Sequence, residues 1–413
     1  MADVRPFRGY RPTPDNVEKV ASPPYDVLDS EEARCMAEGN PLSFLHVVKP
    51  EIDLPPDTDL YAPIVYETAR DNLRRFIDEG ILVKDSVPCY YVYQQKMGDH
   101  VQVGVMAAVS VVEYDNDLIK KHEHTRKDKE DDRTRLVDVT NANAGPVFLT
   151  YQANAGLDAL VDEVRAEKPD FDFVAPDGIG HTVWVVNDTT RLKKLAELFA
   201  EVPALYVADG HHRSASAARI GRERRGKNPH HTGEEPYNHF LAVLFPDDQL
   251  RILDYNRVVT DLNGLTSEQL LDGIAVNFDV GPGSEAKPTE PRTCGMYLDG
   301  KWYTLRAKPG VVPENDPVRS LDVQILYEKV LMPLLTIGDP RTDKRINFVG
   351  GIRGTAELMR LVDGGGYAVA FAMHPTTIAQ LMAIADAGLV MPPKSTWFEP
   401  KLRSGVVVRL IED

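Results

Sequence analysis

Two stretches concentrate the side chains that could do chemistry. The first is Ala208-Asp209-Gly210-His211-His212-Arg213, lying between an apolar run, Leu205-Tyr-Val-Ala208, and a run of small residues, Ser214-Ala-Ser-Ala-Ala-Arg219. The change of pattern reads as a strand turning into a helix. Gly210 permits a tight turn, and the first amides of a helix are unpaired donors that favour an anion. His211, His212 and Arg213 add positive or hydrogen-bonding groups there, and an arginine can grip phosphate through two parallel bonds. Asp209 alone would read as a capping residue, but with His-His-Arg at a helix start the better reading is an anion site.

The second is Lys120-Lys-His-Glu-His-Thr-Arg-Lys-Asp-Lys-Glu-Asp-Asp-Arg-Thr-Arg135. Lys121 and Arg126 could neutralise a phosphate, Thr125 could contact it, and Glu123 could take a proton from a hydroxyl. His122 and His124 share a face of an extended chain, but this is not a zinc-motif spacing, and no metal ligand is assigned. Lys127–Asp132 reads as a solvated, salt-bridged surface. A third run, Pro393-Lys-Ser-Thr-Trp-Phe-Glu-Pro-Lys-Leu-Arg-Ser-Gly405, offers Lys394 and Lys401 to a phosphate or carboxylate, with Trp397 and Phe398 read as core. Near the N-terminus, Ser22-Pro-Pro-Tyr-Asp26 is stiffened by proline. There Tyr25 and Asp26 could meet a substrate amine, or Asp26 could share Mg²⁺ with nucleotide oxygens.

Two near-motifs are discounted. Gly221-Arg-Glu-Arg-Arg-Gly-Lys-Asn228 resembles a P-loop, but it has Asn where Mg²⁺ needs Ser or Thr, and it follows a helix. Val349-Gly-Gly-Ile-Arg-Gly354 lacks the dinucleotide-binding register and reads as a tight turn.

The elements that must position these groups are mixed. A helix is predicted over Ile64–Glu79, where Ala69, Leu73 and Phe76 recur at helical spacing. Tyr90–Lys96 and Val101–Tyr114 read as a hairpin through Gly98-Asp99. Strands follow at Thr182–Asn187 and Ala204–Ala208, and helices at Leu192–Glu201 and Ser214–Arg225; Asn238–Phe245 and Arg251–Val259 read as a strand pair. Further on come a hairpin turning at Asp299-Gly300, helices at Leu321–Leu335 and Thr377–Ala387, and a strand–turn–helix over Ile346–Leu361. Adjacent hairpins with single βα steps predict an α+β fold with mixed sheets rather than a doubly wound one, and a boundary is expected near residue 260.

The chain has 413 residues, 63 of them acidic and 47 basic, for a net charge of −16. That excess disfavours a surface-wide nucleic-acid or membrane binder, yet Arg213–Lys227 holds six basic residues against one acidic. The pattern suits a small anionic or nucleotide ligand in a local site. Three widely spaced cysteines, the absence of an apolar leader, and apolar runs far short of about 20 residues predict a soluble cytoplasmic protein.

Pro23-Pro-Tyr-Asp26, Asn40-Pro-Leu-Ser-Phe44, Lys121-His-Glu-His-Thr125, Arg133-x-x-Leu136, Asn143-x-x-Pro146 and Lys394-Ser-Thr-Trp-Phe-Glu-Pro-Lys401 run nearly end to end. Together they resemble domain-of-unknown-function family 1015. Asp209–Arg213 alone resembles the phosphate-binding motif of the ParB/sulfiredoxin-like superfamily, which includes free-serine kinases, an ATP-dependent reductase and CTP-binding partition proteins. The resemblance implies a ParB/sulfiredoxin-like phosphate-binding core over residues 1–260 and a C-terminal α+β region, 261–413, closing the site. It also implies ATP or ADP with Mg²⁺, and phosphoryl transfer to a small hydroxyl compound, free L-serine being the best single candidate. In that setting Gly210, His211, His212, Arg213, Lys121, Thr125 and Lys394 hold phosphates, Glu123 or Asp209 takes the hydroxyl proton, and Tyr25 and Asp26 meet the substrate. Phosphoester hydrolysis with His211 or His212 assisting the leaving group is a second reading. A non-enzymatic nucleotide-binding regulator is a third, disfavoured by the lack of a helix-turn-helix or basic DNA arm.

Overall fold

The computed structural model describes residues 2–283, 287–313 and 315–412. They form two units: Met1–Leu250 with Pro400–Asp413, and Arg251–Glu399.

The first unit is built on one mixed sheet. Its strands are β1 (Val4–Arg5), β2 (Tyr90–Met97), β3 (His100–Ser110), β4 (Ile119–Lys120), β5 (Val147–Tyr151), β6 (Phe171–Val174), β7 (Gly180–Val186), β8 (Leu205–Asp209) and β9 (His239–Pro246). They lie in the order β4-β8-β5-β9-β3-β2-β7-β6, with β1 paired to β3. β8 runs parallel to β4 and β9 parallel to β5, while the other neighbours are antiparallel. Both faces of β9 are buried along its whole length, as its apolar run from Phe240 onward requires. The helices of this unit include α1 (Pro63–Asp78), α2 (Lys127–Thr140), α3 (Ala155–Arg165), α4 (Thr189–Glu201) and α5 (His211–Lys227). Val105, Leu149, Leu157, Phe199, Val207 and Phe240 belong to one buried apolar cluster. The expected hairpin is β2–β3, the expected first helix is α1, and the discounted P-loop run falls inside α5 and just past its end.

The sequence pairs Asn238–Phe245 with Arg251–Val259, and the structure corrects this. Both edges of β9 are already taken, by β3 and β5. The run after it therefore enters a different sheet, and the units divide at Leu250/Arg251 rather than near 260. The chain then returns, because residues 400–413 belong to the first unit.

Side chains of the first unit hold that returning segment. Gln102 donates to Gln95 at 2.9 Å, and Gln95 donates to the Lys401 carbonyl at 2.9 Å. Ser404 bridges to Ser22 and Val408 to Tyr10, and Arg409–Leu410 pairs with Ala142–Asn143. Arg403 donates to His181 Nε2 at 3.2 Å and also meets Asp177. His181 Nδ1 therefore carries the proton and donates to the Tyr93 oxygen at 2.7 Å. Burial, helped by the Arg403 charge, pushes the His181 imidazole down to about 3.

An acid sensitivity follows. The unfolded imidazole takes its proton near 6.5 and the folded one only near 3, so between these values the unfolded state binds more protons. Stability is expected to be full above pH 6.5 and to fall as the pH drops towards 3. Melting temperatures measured from pH 7 to pH 4 test this against His181→Gln, whose curve should be flatter; identical slopes would refute it.

The second unit carries a six-stranded antiparallel sheet. Its strands are β10 (Tyr255–Val259), β11 (Phe278–Pro282), β12 (Thr293–Leu298), β13 (Lys301–Ala307), β14 (Ile346–Gly350) and β15 (Val369–Met373), in the order β11-β13-β12-β15-β10-β14. β12 and β13 turn at Asp299-Gly300, both with positive φ, as a two-residue hairpin requires. The expected helix over Leu321–Leu335 is α-helical only over Asp322–Leu326 and widens to a π-helix over Tyr327–Leu331. The fold is α+β, and among the described residues no helix is long and apolar enough to cross a membrane.

Candidate functional site

The two chemistry-bearing stretches meet because β4 and β8 are parallel neighbours, with Ile119 beside Leu205 and Lys120 beside Tyr206. Both chains leave the sheet at the same end, so residues 121–126 and 209–213 emerge side by side.

Backbone irregularities shape that end. β8 is in register with β5 at Val207–Leu149 and again at Asp209–Phe148, leaving Ala208 as an extra residue. Such a bulge re-aims the side chains that follow it. Gly210 then takes φ +95° and caps α5. A Cβ there would lie 3.0 Å from Arg213 Nε as well as forcing a side chain into the left-handed region. Gly210→Ala is expected to cost about 1–2 kcal/mol, read as a lowered melting temperature; an unchanged value would refute it. Behind the turn, Ser214 to Ala218 are all buried, and these small residues bring α5 close to α2, with Ser216 donating to the Glu130 carbonyl at 3.2 Å.

The side chains form two adjoining groups. In one, the rings of His122 and His211 cross at 85° with centroids 4.4 Å apart, and Glu123 Oε2 lies 3.7 Å from His211 Nδ1. Ligating atoms of these three residues lie within 4.8 Å of one another. Burial holds the His122 imidazole down to about 4, and burial together with His122 holds His211 well below its ordinary value. Both rings are neutral at pH 7. His212 Nε2 accepts from the Arg126 amide at 3.1 Å, tying the two stretches together.

In the other group, Asp209 Oδ2 lies 3.1 Å from Lys401 Nζ and 3.9 Å from Arg213 Nη2, while its Oδ1 accepts from the Gly210 amide at 2.8 Å. Burial alone would raise this carboxyl, but Lys401 and Arg213 outweigh it and hold it well below the usual carboxylate range. Arg213 donates to the Pro146 carbonyl at 2.5 Å and faces Asp26 at 3.7 Å. Tyr25 lies under the Arg133 guanidinium, 4.1 Å from its ring centroid, and with Arg213 lines a cavity of about 40 Å³.

The structure thus brings together Asp26, Glu123, Asp209, Gly210, His211, His212 and Arg213. The remaining sequence candidates have other partners. Lys121 donates to the Tyr114 carbonyl at 2.9 Å and pairs with Asp117 at 2.5 Å. Thr125 donates to Glu130 at 2.8 Å, within its own segment. Lys394 belongs to the second unit, with its ammonium 5.7 Å from the Tyr255 ring centroid. Lys401, the other lysine of the same run, stands on Asp209 instead. His122 meets His211, 89 positions away in sequence, rather than His124, which is exposed.

This end of the sheet can hold an anion at the α5 N-terminus, move a proton at Glu123, and offer neutral imidazole nitrogens beside it. No curated protein matches the chain. Among solved structures it is similar to a free serine kinase in complex with AMP, at 14% identity over 71% of this chain and 86% of that one, with a TM-score of 0.35. It is also similar to SbnI with a C-terminal truncation from Staphylococcus aureus (12% identity, 72% and 85% covered, TM-score 0.40). A third is a conserved hypothetical protein from Pyrococcus furiosus (13% identity, 74% and 95% covered, TM-score 0.36). The sequence profile of the family described as protein of unknown function, DUF1015, matches residues 4–324, well over half the chain, and the chain therefore belongs to the DUF1015 family.

Proposed function

We propose that the protein is a nucleotide-dependent phosphotransferase acting on a small hydroxyl metabolite, with free L-serine the first substrate to test and ATP or ADP the donor. The observation that carries this reading is the meeting of Glu123 with His211 at the N-terminus of α5. A proton acceptor and an anion-holding helix end then share one place, although their stretches are far apart in sequence. The choice of serine follows from the likeness of Asp209–Arg213 to the motif of free-serine kinases.

In this mechanism the Glu123 carboxylate takes the hydroxyl proton as the substrate oxygen attacks the terminal phosphorus. The bond from that phosphorus to the bridging oxygen breaks, and the shortened nucleotide leaves with the electron pair. The reaction needs positioning and charge neutralisation more than covalent catalysis. The α5 amides and Lys401 serve the phosphates, Asp26 orients the substrate amine, and Arg213 braces Asp209 and Asp26. Asp209, held ionised by Lys401 and Arg213, is a positioning residue and a poor proton acceptor. Mg²⁺ bound with the nucleotide would neutralise phosphate charge, and Asp26 is the carboxylate available to it.

The direct test incubates pure protein with L-serine and ATP or ADP, and separately with phosphoserine, following products by mass spectrometry. O-phosphoserine formed in the first incubation is the expected result. Phosphate released from phosphoserine alone would replace this reading by hydrolysis, and nucleotide binding with neither product would replace it by a regulatory role.

A further inference from the structure

Three ring nitrogens at this site are buried and lack a hydrogen-bond partner of ordinary geometry: Nδ1 and Nε2 of His122, and Nε2 of His211. Only the Val207 backbone offers His122 a weak contact. Buried polar groups in native proteins are nearly always satisfied, so two touching rings with unpartnered nitrogens call for an occupant, and a single ion can take one nitrogen of each. The His122 side chain is 2% exposed and that of His211 5%, so bulk water does not supply one.

We propose that His122, Glu123 and His211 form a binding site for one divalent first-row transition-metal ion. Their ligating atoms already lie within 4.8 Å of one another, and an ion with bonds of about 2.0–2.2 Å would draw them further together. The rings are crossed rather than stacked, so their nitrogens can converge on one point. Two imidazoles and one carboxylate suit Zn²⁺, Mn²⁺, Fe²⁺ or Co²⁺, whereas Mg²⁺ and Ca²⁺ prefer oxygen. Charge points the same way. Around the neutral imidazoles stand the carboxylates of Asp26, Glu123 and Asp209 against the cations of Arg213 and Lys401, leaving negative charge in excess. Glu123 is partly exposed, which gives an ion a way in. Three protein ligands leave at least one position open to a phosphate or hydroxyl oxygen, the pattern of a reactive rather than a purely structural site.

The site stands apart from the phosphotransferase reading, since it rests on donor geometry and not on turnover. An ion held there takes Glu123 as a ligand, so the ligand and proton-acceptor roles of that carboxylate exclude each other at any instant.

The test uses the full chain, stripped with a chelator and titrated with Zn²⁺ by calorimetry and with Co²⁺ by visible absorption, with no nucleotide or serine present. One equivalent per chain is expected, with Mg²⁺ in large excess failing to compete. His122→Ala and His211→Ala should each weaken binding by about 100-fold or more, and Glu123→Ala, at a partly exposed position, by at least about 10-fold. Lys121→Ala, whose ammonium is held elsewhere, should bind as the parent does. Far-ultraviolet circular dichroism separates lost binding from lost folding. Stoichiometric Zn²⁺ binding that survives Glu123→Ala unchanged, displacement by Mg²⁺, or no binding to the folded parent would each overturn the proposal. Each of these outcomes is read from metal binding alone, and phosphoserine formation is assayed separately.

Discussion

Glu123→Gln is expected to lower phosphoserine formation by about 10²–10⁴-fold, the usual worth of a positioned general base. Glutamine keeps the size and one oxygen of the side chain but cannot take the hydroxyl proton. Glu123 Oε2 stands 3.7 Å from His211 Nδ1, and glutamine leaves that place filled. Nucleotide affinity, which the proposed mechanism assigns to the helix end and Lys401, should change little, so the loss appears in kcat and not in nucleotide KM. Parallel steady-state kinetics and nucleotide titrations on both proteins read the two quantities. A kcat within tenfold of the parent would remove Glu123 from proton transfer, whatever happens to binding.

The second large effect concerns stability. Asp209→Asn preserves the oxygen that accepts from the Gly210 amide but removes the charge facing Lys401 at 3.1 Å and Arg213 at 3.9 Å. Removing one partner of a partly buried ion pair leaves its cations uncompensated, at a cost of about 1–3 kcal/mol, below that of a fully buried pair. Arg213 keeps Asp26 and the Pro146 carbonyl, so Lys401 loses most. Adding Lys401→Met should therefore recover a good part of the loss, and the double-mutant cycle should return a coupling of about 1–3 kcal/mol. Urea denaturation of the four proteins measures it. Additive single effects would mean that the Asp209–Lys401 contact is not an energetic one.

The motif around Asp209 was legible because each of its levels agrees. A buried apolar strand, a glycine able to take positive φ, and a run of small residues all call for strand, turn and helix. The convergence of Lys120–Arg126 on it was not legible, since it depends on β4, only two residues long, lying parallel to β8. Helix α2 was also hidden. Its buried face includes Asp132 and Thr134, with Asp132 accepting from the Tyr66 hydroxyl at 2.8 Å, so no apolar period announces it. The His122–His211 pair had no local signature because its members belong to different stretches. That Lys401 reaches Asp209 had no local signature for a related reason. Lys394 and Lys401 sit in one polar run, and the point at which the chain returns to the first unit, at Pro400, places Lys401 among the first unit's residues.

That return has a consequence for the order in which the protein comes into being. Between Leu250 and Pro400 the ribosome makes 149 residues of the second unit, roughly 7–30 s of synthesis at ordinary rates. Throughout that interval the first unit can form β8, the Gly210 turn and α5, but its Asp209 faces Arg213 without Lys401, and the Gln95–Lys401 tether has no partner. The nascent chain thus lacks both Lys401 contacts even where it is already folded. A chain cut anywhere within the second unit keeps every residue of the Asp209–Arg213 motif and still lacks the finished site.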